Sequence, residues 1–158
     1  MKHTFIYIIA LLLCSNVFCQ NKSVLYDKII VDIKKSKELK EFSTNHNVKK
    51  LNFKVKQYLY PFCENYNMFK KDSLTQEIID SCANDDWFSS GSKKDENLKN
   101  KCDKGKKPLI LYFTNTIDNY IITEVVVKKA EQESLLFLYK FDDENSIRKI
   151  DTIRIFKN

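Results

Sequence analysis

His46 is the only histidine beyond residue 3, so any nucleophile that needs an imidazole base has one candidate partner. It sits among Ser43, Thr44, Asn45 and Asn47 and reads as a solvated residue between a helix and a strand. Nothing but residue type supports a dyad with Cys63. Ser90-Gly91-Ser92 lies in a polar run, away from the strand-to-helix elbow that presents a hydrolase serine. Cys63, Cys82, Cys102 and His46 number enough for zinc, yet no two of the cysteines have knuckle spacing. Asp142-Asp143-Glu144-Asn145-Ser146 lacks the alternating ligands and the glycine of a calcium loop and reads as a hairpin turn. Asp85-Asp86 beside Trp87-Phe88 is the best carboxylate pair for a glycoside hydrolase, because an aromatic neighbour can stack on a sugar and raise a carboxyl pKa. The simpler reading has Trp87 and Phe88 packing a helix onto a sheet beside solvated aspartates. With two glycines in the chain there is no phosphate-cradling loop, and the sequence calls for no catalytic residue, metal or cofactor.

Binding chemistry has better material. Between residues 93 and 107 lie seven lysines, among them Lys101, Lys104 and Lys106, against Asp95, Glu96 and Asp103. Lys50, Lys54 and Lys56 add charge upstream, and such clusters attract phosphates, anionic headgroups or acidic polysaccharides. Nucleic acid is disfavoured, because Arg148 and Arg154 are the only arginines and arginine makes the commonest specific base contact. The second feature is the aromatic series Tyr58, Tyr60, Phe62, Tyr66 and Phe69. Tyrosine-rich patches are common where one end of a ring is buried and the other is wet.

These residues belong to a chain of 158 residues, 43% hydrophobic, 13% aromatic and 30% charged, with a net charge of +6. That composition excludes collagen-like and linker-dominated classes and predicts one folded domain. The first 19 residues read as a secretory signal peptide. Lys2 supplies the basic region, residues 5–14 form an apolar run too short to span a bilayer, and Val17 and Cys19 suit a cleavage site before Gln20. Cys14 and Cys19 follow the bulky Leu13 and Phe18, which disfavours lipidation. Cleavage removes one lysine and no acid, leaving +5 over residues 20–158. The expected location is the cell envelope, the periplasm or the extracellular space. In such an oxidising compartment Cys63, Cys82 and Cys102 permit one disulfide, and Cys82–Cys102 is the expected pair, since the two bracket a polar loop over residues 89–107. Cys63 then packs as a small hydrophobe.

Residues 23–42 repeat apolar side chains at helical spacing (Leu25, Ile29, Ile33, with Tyr26 and Ile30 beside them). Residues 51–60 alternate, with Leu51, Phe53, Val55 and Leu59 opposite Lys54, Lys56, Tyr58 and Tyr60. Ser73 and Gln76 form a capping box ahead of a second helix through Ile78 and Cys82, which is expected to cover the aromatic face of the strand. After the loop come LILYFT, YIITEVVVKK, SLLFLYKF and IRKIDTIRIF. Their short spacers predict a four-stranded antiparallel meander. The fold class is therefore α+β: an amphipathic N-terminal helix on a mainly antiparallel sheet, two layers thick. This element order is similar in outline to cystatin-like and nuclear-transport-factor-like folds, in which a curved sheet wraps a helix. Folds of that kind host enzymes, carriers and interaction modules alike. A non-enzymatic module binding a protein partner, a small apolar ligand or an anionic surface polymer is the leading expectation, through Tyr58, Tyr60, Phe62, Tyr66, Trp87 and the lysine loop. A carboxylate-dependent hydrolase and an inhibitor of another protein are the alternatives.

Overall fold

The computed structural model describes residues 22–69, 76–83, 92–99 and 101–157. The expected signal segment, the expected Ser73 cap and the run holding Asp85, Asp86, Trp87 and Phe88 lie outside these residues. The expected N-terminal helix is two helices, α1 over residues 22–35 and α2 over Lys37–Asn45. Ser36 divides them: its hydroxyl donates to the Ile33 carbonyl at 2.8 Å and accepts from the Leu39 amide at 3.2 Å. A serine side chain that bonds nearby backbone in this way ends one helix and caps the next.

Six strands follow in the spatial order β2-β1-β3-β4-β5-β6. They are β1 (Phe53–Tyr60), β2 (Lys93–Lys94), β3 (Leu109–Thr114), β4 (Tyr120–Val127), β5 (Ala130–Phe141) and β6 (Ile147–Phe156). Strands β3 to β6 form the expected antiparallel meander. The β1–β3 pair is parallel, which is possible because the long segment between them can cross over the sheet. Between β1 and β2 lie the short α3 (Phe62–Tyr66) and α4 (Gln76–Ala83).

The longer strands send alternate side chains to two faces, and helices pack on part of both. On one, Leu25, Tyr26, Ile29 and Ile33 of α1 and Leu39 and Phe42 of α2 pack against Phe53, Val55, Leu111, Val125 and Phe137. On the other, Phe62 and Cys63 of α3 and Ile78 and Cys82 of α4 pack against Tyr120, Ile122, Leu136 and Leu138. The second helix thus covers β4 and β5 rather than the expected aromatic face of β1, where Tyr58 and Tyr60 stay exposed, and the two-layer expectation gains a third, partial layer.

The disulfide joins Cys63 to Cys82, with Cα atoms 5.5 Å apart, which corrects the expected Cys82–Cys102 pair. Packing decides it: α3 and α4 lie together on the second face, within bridging reach. Cys102 is an exposed free thiol directed at the Val55 carbonyl, 3.6 Å away at the edge of β1.

Candidate functional site

The lysine-rich run is largely a fitted strap, contrary to its expected character as an open loop. Lys93 and Lys94 pair with Leu59 and Tyr58, and the Asp95 amide donates to the Gln57 carbonyl at 2.8 Å. A short 3-10 helix, Glu96–Leu98, buries Leu98 completely. Two aspartates anchor the strap to the core. Asp95 accepts from the Tyr26 hydroxyl at 2.8 Å. Asp103 accepts from the Phe53 amide at 2.7 Å and pairs with Lys34 at 2.7 Å. Burial, reinforced by Asp95, pushes the Tyr26 phenol well above the usual tyrosine range. Burial and a hydrogen bond to Asp32 do the same to Tyr139.

The strap changes the standing of its lysines. Lys101 bonds the Ser23 carbonyl at 3.1 Å and pairs with Asp27, so its ammonium fastens the strap to α1. Lys104 is exposed next to Gly105, whose φ of +80° makes the turn and favours glycine. Lys106 does reach a hollow. Lys49, Lys50, Lys106, Lys128 and Lys129 ring a depression of about 410 Å³ together with His46, Asn47, Val48, Pro108 and Val127. It lies where β3 begins and β4 turns into β5. Val48, Pro108 and Val127 make its floor apolar, while all five lysines are exposed. Among the described residues none of the five has a carboxylate within ion-pair distance. Two other hollows mix the signs: Asp27, Asp32, Lys28 and Lys35 line one, and Lys22, Asp142 and Asp143 another. The lysine hollow is therefore distinguished by charge rather than by size.

His46 is largely buried, which corrects the expectation of a solvated residue. The C-terminus of α2 turns its ring edge-on to Phe42, 4.7 Å between centroids, and its Nε2 lies 3.1 Å from a Glu133 carboxylate oxygen. Arg154 pairs with the other oxygen of Glu133. Of this trio His46 lines the hollow, and Arg154 pairs with the acid beside it. No three histidine, cysteine or acidic side chains among the described residues are grouped to hold a metal.

The aromatic series divides. Phe62 is wholly buried and Tyr66 packs against the second core, so both are structural. Tyr58 and Tyr60 remain on the surface at 49% and 37% exposure. Tyr60 meets Tyr112 edge-on at 5.3 Å, and with Glu64, Asn65, Thr114, Glu124 and Lys157 they line a second hollow of about 280 Å³. Glu124 pairs with Lys157 at 2.7 Å, and Lys56 sits 5.8 Å over the Tyr112 ring. Tyr112, Glu64 and the β4–β5 lysines carry no sequence signal that marks them as site residues. Lys128-Lys129 read as the end of a strand, and only its pairing brings that end beside Pro108, whose carbonyl accepts from the Lys128 amide at 2.9 Å.

No protein-family model, curated protein or solved structure matches this chain. The disulfide is compatible with an extracellular protein, and no helix among the described residues is long and apolar enough to cross a membrane.

Proposed function

We propose that this chain is an exported, non-enzymatic module that binds an anionic polymer through the lysine hollow. The observation that carries the reading is the ring of five lysines, without acid partners among the described residues, around an apolar floor. Clustered charge of one sign focuses potential and raises the local concentration of an oppositely charged ligand. Lysine suits a repeating, loosely oriented anion, since its ammonium is a point charge without the fixed fork of arginine. The apolar floor and the lysine stems give the ligand body a surface to cover. Export is supported by the leader-like first 19 residues and by the Cys63–Cys82 bridge.

The test is retention of the mature protein on a dextran sulfate column against a salt gradient. Elution should require salt well above physiological strength, where screening shortens the range of the field. The double variant Lys49→Glu, Lys128→Glu should bind roughly tenfold or more weakly with an unchanged melting temperature. Equal retention of the variant would refute the site.

A further inference from the structure

We infer that the polymer is an acidic polysaccharide that runs from the lysine hollow across the sheet to the Tyr60–Tyr112 hollow, which serves as a second, sugar-stacking subsite. This rests on the anion-binding reading above. The register connects the two places. Pro108 borders the first hollow and Tyr112 the second, so four residue steps along the chain, about 13 Å at strand spacing, separate them. Beside this path β1 carries Lys54, the register partner of Ile110, and then Lys56 over Tyr112. Neither lysine has a carboxylate partner among the described residues. Positive charge therefore continues from one hollow to the edge of the other.

The chemistry changes at the far end. Two tyrosines, of which Tyr60 is 37% exposed, offer ring surface, while Glu64, Asn65 and Thr114 offer hydrogen-bonding groups. Glu64 can accept hydrogen bonds from sugar hydroxyls, and Glu124 is already paired with Lys157. A glycan with charged groups along its length and free hydroxyls on each ring satisfies both ends. A single-stranded nucleic acid would also use lysines and stacking, but carries a single 2′-hydroxyl per residue for these polar groups.

The experiment titrates the mature protein, by fluorescence anisotropy, with a short and a long labelled heparin-derived oligosaccharide and with a labelled single-stranded RNA matched in length to the long one. The long oligosaccharide should bind about tenfold more tightly than the short one. Tyr60→Ala should cost the long one about fivefold and leave the short one unchanged, with Tyr60→Trp restoring the loss. Because Tyr60 is surface-exposed, circular dichroism should show the native fold in both variants. If the lysine variants lose the short oligosaccharide while length and Tyr60 have no effect, the second subsite is wrong and the anion site stands. Tighter binding of the RNA overturns the polysaccharide assignment. If neither oligosaccharide binds, the anion reading itself fails and this one falls with it.

Discussion

At the scale of single residues, the molecule uses its acids to hold structure and leaves many lysines for solvent or ligand. Asp103 is the clearest case, accepting a backbone amide with one oxygen and an ammonium with the other. Asp103→Ala should cost about 2–3 kcal/mol, because it strands the Phe53 amide and removes a charge-assisted bond; urea denaturation measures this, and a loss under half that would show the strap holds without it. Tyr26 and Tyr139 set a pH limit. Their phenols are held neutral in the fold by burial and by hydrogen bonds to carboxylates, whereas an unfolded tyrosine ionises near pH 10. Deprotonation above that pH favours the unfolded chain, so the stability these groups contribute is present below about pH 10 and lost as pH rises further. Tyr26→Phe with Tyr139→Phe should flatten the alkaline limb of a stability–pH curve; an unchanged slope would contradict the burial argument.

At the scale of elements, the strap and the disulfide are the two fastenings that a periodicity argument misses. Limited trypsin digestion should spare the bond after Lys101 until the whole domain unfolds, since Lys101 is tied to α1 and the neighbouring Asp103 to β1. Early cleavage there would return the strap to the open loop its composition suggests. Replacing Cys63 and Cys82 together by alanine should lower stability by about 3 kcal/mol on the chain-entropy account of a loop this size, with α4 the first element to lose amide-exchange protection. Helix α1 was legible because its apolar residues repeat at helical spacing, as Leu25, Ile29 and Ile33 show, and the meander because its strands are unbroken β-branched and aromatic runs between polar spacers, as β4, buried on both faces, shows. The strap was not, because Asp95 and Asp103 act as isolated side chains with no period. The bridge was not, because Cys63 and Cys102 lie at similar distances from Cys82 along the chain, and only packing separates them. The lysine hollow was half legible: Lys50 and Lys106 stood out by composition, while Lys128 and Lys129 join them only through the register of β4.

For the molecule as a whole, export is checked by the intact mass of protein recovered from the envelope or medium. It should begin at Gln20 and accept one thiol label, on Cys102; a chain retaining Met1 with all five thiols reactive would place it in a reducing compartment. The parallel β1–β3 pair has a further consequence, for the order of assembly. Strand β1 reaches β3, its partner in the meander, only across residues 61–108, whereas β3 to β6 close through turns of a few residues. Closing the long connection carries a larger entropic cost before any contact rewards it, so the C-terminal meander should form the folding nucleus and the N-terminal half should dock late. Substitutions at Val125 or Phe137 would then slow refolding, while those at Phe53 or Ile29 would mainly speed unfolding. A chain leaving a ribosome or a translocation pore N-terminus first would be unable to complete its fold until its last strands emerge, which keeps it threadable for the length of its passage.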